Sequence, residues 1–287
     1  MANNSFEALK PKYTDLLSRY KTKASWKVAA NSKAKKILAF KDRYQEVALE
    51  LNMPWEFIGV VHSLEGNLNF DTHLHNGNSL SRRTKDVPAG RPEADPEDGE
   101  FPYSWRESAL DALRLKGLQN VEEWSDERLC YEFERYNGFG YRNNHPKTLS
   151  PYIWSGSNLY TSGKYVADGV WSNAAVSKQI GAWLLISELR LLQEKEEVKE
   201  VVANSSKIQT IDNTNNTIIG GTLFSAIVYY LGIAKEYFLQ LKTFVSENAA
   251  IVIVSILIIV VLINKLLKSK IIKDYKDGRY TPSGMSK

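Results

Sequence analysis

The sequence predicts a mainly α-helical (α+β) protein with one small β-hairpin, followed by one or two transmembrane helices near the C-terminal end. Apolar residues recur at spacings of three and four along most of residues 1–202, which is the period of an amphipathic helix. That period is lost over residues 67–87, where Asn, Gly and Ser are frequent and a hairpin is expected. Two long apolar runs follow residue 217, and such runs are typical of membrane spans.

The composition is that of a globular domain with additional material, since 43% of the 287 residues are hydrophobic and 24% are charged. The formal net charge of +4 gives no strong indication of nucleic-acid binding, and no nucleic-acid partner is predicted. Residues 1–50 are more basic, with eleven Lys and Arg against five Asp and Glu. This surplus is either a solvated helix face or a surface that attracts polyanions. Cys130 is the single cysteine, so the fold does not depend on an intramolecular disulfide.

Six helices are predicted before residue 203 from apolar spacing and capping residues. Asn52 and Pro54 suit the start of the third helix. Ser104 with Glu107 forms a capping-box pattern, in which the two residues satisfy each other's backbone N–H groups. The predicted ranges are Glu7–Tyr20, Ser32–Leu51, Asn52–Gly66, Ser104–Lys116, Ser125–Asn137 and Asn173–Val202.

Three stretches between these helices are predicted to be irregular. Residues 67–87 hold the expected hairpin, with Asn76-Gly77-Asn78 as its turn. Residues 88–102 are rich in Pro, Gly and acidic residues, as in a surface loop. Residues 139–172 are rich in aromatic residues and lack a helical period.

The C-terminal part is predicted to hold the chain in a membrane. Ala249–Ile263 contains fifteen residues without a charge, and with Asn264–Leu267 it approaches the ~20 residues that span hydrocarbon. Ile218–Ala234 is a second uncharged segment and fits either a further span or an interfacial helix. The lysine-rich residues 268–287 indicate a cytoplasmic tail. A signal peptide is not expected, because Met1–Asp15 lacks an apolar core.

Five regions follow from these boundaries. They are a basic N-terminal helical extension (1–31), a folded domain (32–202), a polar linker (203–217), a membrane segment of one or two spans (218–267) and a basic tail (268–287). The membrane segment would contact lipid. With two spans, the folded domain and the tail would both lie on the cytoplasmic side.

Glu65 is the strongest candidate for a catalytic residue. It shares the apolar face of the predicted third helix with Ile58 and Val61, so its carboxyl is expected to point towards the core. Burial raises the pKa of a carboxyl and keeps it protonated near neutral pH, as glycosidic cleavage requires of its general acid. The alternative is a surface glutamate in the last turn of a helix that ends at Gly66.

Several segments resemble the goose-type lysozymes and the lytic transglycosylases. Val61–Phe70 (VHSLEGNLNF) resembles the end of their catalytic helix, although Gly66 stands where the family usually has Ser. Tyr136–Gly140 (YNGFG) resembles their Tyr-Asn-x-Gly element. The resemblance covers roughly residues 35–190, and further stretches resemble phage and bacterial lysozyme-like proteins, namely His73–Leu80, Arg83-Thr84, Val87–Pro92 and Lys164–Gly169.

The resemblance implies that residues 32–202 form a lysozyme-like helical domain in which the hairpin borders a substrate cleft. It implies a peptidoglycan muramidase, in which Glu65 protonates the oxygen of the β-1,4 bond between N-acetylmuramic acid and N-acetylglucosamine. A hydrolase would use Asp71 or Asp86 as base or nucleophile, or Thr84 to position a water. A transglycosylase needs no second carboxylate. Asp71 equally fits an Asx turn.

The resemblance also implies residues that would line the cleft. Aromatic side chains stack on the apolar faces of sugars, although core packing is the alternative for at least half of them. The candidates are His75, Asn76, Tyr136, Asn137, Tyr141, Trp154 and Tyr165. His73 and His75 would share a face on a strand, but no third ligand accompanies them, so neither a metal nor another cofactor is expected.

The expected partners are peptidoglycan glycan strands and membrane lipid. A phage endolysin or a wall enzyme carried in a virion suits this design, placed at the host inner membrane or in the virion. The alternative is a lysozyme-like protein without activity that binds peptidoglycan or supports a virion from its membrane anchor. Two features allow that alternative: Gly66 stands where the lysozymes usually have Ser, and the identity of a second catalytic carboxylate is left open. The sequence also leaves the oligomeric state open.

Overall fold

The computed structural model describes residues 3–167, 169–204 and 242–277. The chain divides into two compact units, Met1–Leu192 and Gln193–Lys287. Over the described residues it is mainly helical and carries a two-stranded antiparallel sheet. The prediction of a mainly α-helical (α+β) fold is therefore confirmed for the described residues.

Between α1 and α9 the longest connection without a helix or strand is the loop between α4 and α5. The helices are α1 (Phe6–Ser18), α2 (Lys27–Ala39), α3 (Lys41–Leu51), α4 (Trp55–Glu65), α5 (Trp105–Leu115), α6 (Asp126–Asn137), α7 (Gly140–Asn144), α8 (Pro151–Trp154), α9 (Ala182–Asn204) and α10 (Lys242–Lys276). The strands are β1 (Lys164–Ala167) and β2 (Val170–Ser172), between α8 and α9. Short 3₁₀ turns occur at Ala24–Trp26 and Leu118–Asn120.

The capping box predicted for Ser104 and Glu107 is confirmed. The Ser104 hydroxyl accepts the N–H of Glu107 at 3.2 Å, and the Glu107 carboxylate accepts the N–H of Ser104 at 2.6 Å. Helix α5 therefore begins with the capping box. The Ser125 hydroxyl accepts the N–H of Arg128 at 3.2 Å at the start of α6.

Two predictions around α3 are wrong. The predicted helix Ser32–Leu51 is two helices, which meet at Phe40. The Phe40 ring packs edge-on against Phe70, with 4.9 Å between the ring centroids, so tertiary packing changes the path of the chain there. Asn52 does not start α4. Its φ of 49° is left-handed, and it ends α3 in a conformation that asparagine tolerates.

The β-hairpin does not lie where it was predicted. Residues 67–87, all described, hold one isolated bridge between Thr72 and Ser79 and no strand. The side-chain oxygen of Asn78 accepts the N–H groups of Lys85 at 2.9 Å and Asp86 at 3.1 Å. Side-chain hydrogen bonds thus take the place of a strand ladder in this loop.

The sheet forms instead within residues 139–172, which were predicted to be irregular. β1 and β2 pair antiparallel, with Tyr165 opposite Trp171. Helix α9 consequently starts at Ala182 and not at Asn173. The N–H of Gly181 donates to the carbonyl of Ser155 at 3.1 Å, which ties the start of α9 to the end of α8.

Helix α4 lies at the centre of the core. Residues Phe57–Val61 are buried, and the Phe57 ring stacks on Phe133 of α6 with 4.4 Å between centroids. A Cβ at Gly59 would lie 2.5 Å from Ile37 Cγ2, so α2 and α4 approach too closely there for any side chain. Because α4 is held on several sides, its last residue, Glu65, has a defined position.

Helix α1 packs on the same core, within the unit Met1–Leu192. Its Tyr13 is fully buried and donates its hydroxyl hydrogen to the carboxylate of Glu134. Arg142 Nε donates to the other carboxylate oxygen of Glu134 at 3.0 Å. The buried Glu134 is therefore both paired and hydrogen-bonded, as a charge in a protein interior must be.

The membrane spans predicted within 218–267 find no support in the described part of the chain. No helix there is long and apolar enough to cross a membrane. Helix α10 covers the run Ala249–Ile263, but the side chains of residues 242–257 are outside the described set. Residues 205–241 and 278–287 also lie outside it, and with them the first apolar run and half of the basic tail.

We expect Gly77→Ala to destabilise the domain more than Gly90→Ala. Both glycines have left-handed backbones, with φ of 76° and 75°, so the conformational strain of an alanine is similar at both. A Cβ at position 77 would also lie 2.7 Å from the backbone oxygen of Glu65, whereas nothing lies within 4 Å of one at position 90. The free energies of unfolding, measured by urea denaturation, should differ by about 1 kcal/mol or more. Equal losses would contradict close packing of this loop on the end of α4.

Candidate active site

Glu65 pairs with a tyrosine from a distant part of the chain. Its Oε1 accepts a hydrogen bond from the Tyr152 hydroxyl at 2.8 Å. Tyr152 is buried and lies on the short helix α8, which begins at Pro151 in a position that suits proline. The two residues are 87 positions apart, so tertiary packing alone brings them together.

Burial raises the pKa of the Glu65 carboxyl to about 7. The hydrogen bond from Tyr152 and the positive charge of Lys116 act in the opposite direction but are smaller. The side chain is partly buried and not fully enclosed, so part of it stays accessible. A carboxyl that is roughly half protonated at neutral pH and accessible to a ligand suits a general acid.

The loop after α4 folds tightly around the end of that helix. His62 Nε2 donates to the carbonyl of Asn69 at 3.0 Å, and His62 Nδ1 accepts the Tyr44 hydroxyl at 3.0 Å. Burial lowers the pKa of His62 to about 4, so the imidazole is neutral at neutral pH, as this pair of hydrogen bonds requires. Asn67 and Leu68 have positive φ angles of 50° and 65°, a strained conformation for residues with side chains.

Gly66 occupies a position without room for a side chain. A Cβ there would lie 2.7 Å from the hydroxyl oxygen of Thr72. That hydroxyl is fixed by its own hydrogen bond to the carbonyl of Asn69 at 2.8 Å. A serine at position 66, which the goose-type lysozymes usually have, would collide with this loop. The departure at Gly66 thus follows from local packing and leaves the Glu65 carboxyl in place.

The charge of Glu65 acts on Tyr136 and Lys116, which lie at the ends of α6 and α5. Tyr136 is buried, and its hydroxyl donates to the carbonyl of Leu74 at 2.8 Å. Burial, and then the charge of Glu65, raise the pKa of Tyr136, so it lies within electrostatic reach of that carboxyl. Lys116 Nζ donates to the carbonyl of Tyr136 at 3.0 Å. Burial and the charge of Arg135 lower the pKa of Lys116, while Glu65 raises it.

Two other predicted catalytic residues have different surroundings. Thr84 is buried, and its hydroxyl donates to the carbonyl of Pro88 and accepts the N–H of Arg91 at 2.9 Å. It closes its own loop, so the predicted role of positioning a water is wrong for this conformation. Asp71 is exposed, and its N–H donates to the side-chain oxygen of Asn69 at 3.0 Å. The turn is therefore made by Asn69, and Asp71 lies beyond it.

The predicted binding residues His75 and Asn76 hold the loop in place. His75 is buried and donates from Nε2 to Asp111 at 2.7 Å, and Arg91 Nε donates to the same oxygen at 3.0 Å. The side chain of Asn76 donates to the carbonyl of Asp86 at 2.9 Å. These contacts anchor the loop to α5 and to itself.

The two histidines predicted to share a strand face are not arranged as metal ligands. His73 Nε2 donates to the carbonyl of Arg82, and Nδ1 accepts the Ser108 hydroxyl, both at 2.8 Å. Burial lowers the pKa of His73, in keeping with a neutral imidazole. His75 Nδ1 is buried without a hydrogen-bond partner. Over residues 3–167, 169–204 and 242–277, no group of three or more His, Cys, Asp or Glu could hold a metal ion.

The aromatic and amide residues predicted to line the cleft separate into buried and accessible ones. Trp154 is 1% exposed and packs in the core, so the prediction that it contacts a sugar is wrong for this conformation. Tyr141 and Tyr165 are half-buried and form a cluster with Trp171, with ring centroids 5.2, 5.4 and 5.6 Å apart. Asn137 is exposed at the end of α6.

Sequence reasoning gave Tyr152 only as one of the aromatic residues that could stack on sugar, missed its pairing with Glu65, and missed Lys116 altogether. No spacing could have paired Tyr152 with Glu65, because the pairing depends on how α8 docks. Lys116 follows the last turn of α5, where a cation ordinarily indicates an interaction with the helix dipole. Its proximity to Glu65 depends on the packing of α5 against the end of α6.

A cavity of about 380 Å³ lies away from these residues, at the junction of α3 and α4. Its lining includes none of the predicted site residues. The lining residues are Gln45, Ala48, Leu49, Asn52, Met53, Pro54, Trp55 and Trp124.

No protein family, curated protein or solved structure shows a match to this chain. The likeness to lysozymes therefore rests on short sequence segments, above all those around Glu65 and Tyr136.

We expect Glu65→Gln to stabilise the domain at alkaline pH. The pKa of Glu65 is about 7 in the folded chain against an ordinary value of 4.5. The wild-type protein therefore loses stability as the pH rises from 4.5 through 7, because the unfolded chain releases this proton more readily. Glutamine resembles the neutral acid and removes that loss. The variant should match wild type at pH 4 and exceed its free energy of unfolding by about 2–3 kcal/mol at pH 8.

Urea denaturation at the two pH values measures this difference. All seven tryptophans lie within Met1–Leu192, so their fluorescence reports on the unit that contains the site. Glu100→Gln, in an exposed loop, is the matched control and should show no such pH dependence. A Glu65→Gln difference that stays constant from pH 4 to pH 8 would rule out a desolvated carboxyl.

Proposed function

We propose that this chain is a peptidoglycan muramidase with Glu65 as its general acid. One observation carries the proposal: a partly buried carboxyl, with its pKa raised to about 7, ends a helix that is fixed in the core. Such a group holds a proton near neutral pH and can give it to a leaving oxygen. The resemblance of residues 61–70 and 136–140 to goose-type lysozymes and lytic transglycosylases supports peptidoglycan as the substrate.

In the first step Glu65 donates its proton to the oxygen that joins N-acetylmuramic acid to N-acetylglucosamine. The bond from that oxygen to C1 of the muramyl ring breaks, and positive charge develops on this ring. The carboxylate left on Glu65 is stabilised by the Tyr152 hydroxyl at 2.8 Å and by the charge of Lys116. Both groups lower the pKa of Glu65 against the effect of burial, so they favour release of the proton.

The step that follows is attack on C1, either by water activated by a second carboxylate or by the substrate's own 6-hydroxyl. Asp86 accepts a hydrogen bond from the Asn78 side chain at 2.8 Å, and the Thr84 hydroxyl is used within its loop. Asp71, which is exposed, stays the candidate base for a hydrolase. In the 6-hydroxyl route the hydroxyl proton passes to the Glu65 carboxylate, and an anhydro sugar forms without a second carboxylate.

Attachment to a membrane is part of the same proposal. The run Ala249–Ile263 has the composition of a membrane span, and the lysines that follow it indicate a cytoplasmic tail. A domain held on the cytoplasmic side would be separated from peptidoglycan until the membrane is breached, which suits a phage lysis enzyme. The span, and the inner-membrane or virion location, stay predictions from the sequence.

We expect Glu65→Gln to slow the clearing of a peptidoglycan suspension by at least about 100-fold, which is the contribution of a positioned general acid. The full-length wild-type protein, Glu65→Gln and the exposed-loop control Glu100→Gln are compared by turbidity. The control should clear the suspension at the wild-type rate, since Glu100 contacts neither Glu65 nor its neighbours.

Mass analysis of the products identifies the second step. Anhydro-muramyl ends indicate attack by the 6-hydroxyl, and reducing ends indicate attack by water. Clearing by Glu65→Gln at the wild-type rate would remove Glu65 from the mechanism. A wild-type protein that sediments with peptidoglycan without cleaving it would be the inactive, peptidoglycan-binding alternative.

A further inference from the structure

Lys116 holds an ammonium group against Tyr136, within electrostatic reach of the proposed catalytic carboxyl. Its side chain is half-buried, and Nζ donates to the carbonyl of Tyr136 at 3.0 Å and lies 5.2 Å from the centroid of that ring. Arg135 donates in return to the carbonyl of Lys116. The C-terminal ends of α5 and α6 are thus each capped by a cation from the other helix, which limits the freedom of the Lys116 side chain.

The charge of Lys116 lacks a close acidic partner among the described residues. The neighbouring Arg135 pairs with Glu132 at 2.6 Å, and Arg128 pairs with the same carboxylate at 3.2 Å. No ion pair within 4.0 Å joins a described Asp or Glu to Lys116. An ammonium group has three N–H donors, and the Tyr136 carbonyl takes one of them. The hydrogen bonds of the described residues therefore leave two of its donors for a ligand.

We propose that Lys116 binds a carboxylate of the muramyl unit when a glycan strand lies in the Glu65 site. This inference rests on the proposed function and deepens it, because it identifies the acidic part of the substrate. Muramic acid has a lactyl ether that N-acetylglucosamine lacks. Its carboxyl is free in peptide-free strands, and in peptide-bearing strands the attached peptide supplies acidic groups. A carboxylate acceptor would complete the hydrogen bonding of the ammonium group and match its charge.

A half-buried ammonium group distinguishes acidic from neutral glycans better than an exposed one. Water and salt screen its charge less than that of a surface lysine such as Lys35. An oligomer of N-acetylglucosamine offers only hydroxyl and amide oxygens, whose hydrogen bonds to a cation are weaker than those of a carboxylate. Lys116 would therefore give the site its preference for muramic acid.

Binding measured in the Glu65→Gln protein separates this role from catalysis, because the glycan is not cleaved. The ligands are a peptide-free oligomer of alternating muramic acid and N-acetylglucosamine, the same oligomer with its carboxyls reduced to alcohols, and the oligomer with its peptides attached. Lys116→Met, Lys116→Arg and the surface control Lys35→Met are added to that protein, and dissociation constants are measured by titration calorimetry.

We expect Lys116→Met to weaken binding of the peptide-free acidic oligomer at least about tenfold and to leave binding of the reduced oligomer unchanged. Lys116→Arg should keep the preference, and Lys35→Met should bind as the parent does. A loss confined to the peptide-bearing oligomer would support the inference and identify a peptide carboxylate as the ligand. Equal losses for acidic and reduced oligomers, or no loss for any, would overturn it. If the parent protein binds none of the oligomers, the proposed function itself fails.

Discussion

The Glu65 carboxyl ends a helix that the core surrounds, so it lies where ionisation is disfavoured. Helix α4 is buried against α2, α3 and α6, and its last residue is partly buried. Burial therefore raises the pKa of Glu65 to about 7. The Tyr152 hydroxyl and the Lys116 charge oppose this effect, which leaves a carboxyl that is able to both hold and release a proton near neutral pH.

The loop that follows Glu65 packs closely around the end of α4. There is no space for a side chain at position 66, where the chain has glycine. Asn67 and Leu68 have positive φ angles, and the neutral, buried His62 donates a hydrogen bond to the carbonyl of Asn69. Such conformations cost free energy and persist because the surrounding hydrogen bonds fix them. Strain and a desolvated acid at one place are typical of a functional site, where a chain departs from its most stable local choices.

Local interactions are the part of this structure that could be predicted from the sequence. Helical spacing places Glu65 towards the core, and the Ser104 cap depends on residues only three positions apart. The pairing with Tyr152 spans 87 positions and has no local signal. The sequence predicted that aromatic rings would contact sugar. It did not indicate which rings the core would enclose, and Trp154 is one of the enclosed rings. The predicted hairpin failed for a similar reason, because asparagine side chains such as that of Asn78 bond to the loop backbone in place of a strand partner.

Titration of the Glu65 carboxyl by carbon NMR measures the central quantity directly. The resonance is assigned by its absence from Glu65→Gln, and its chemical shift is followed from pH 3 to pH 9, a range chosen to bracket both the raised and the ordinary pKa. We predict a midpoint near pH 7. A midpoint near the ordinary value of 4.5 would mean that the carboxyl is solvated, and it would contradict both the burial of Glu65 and its role as a general acid.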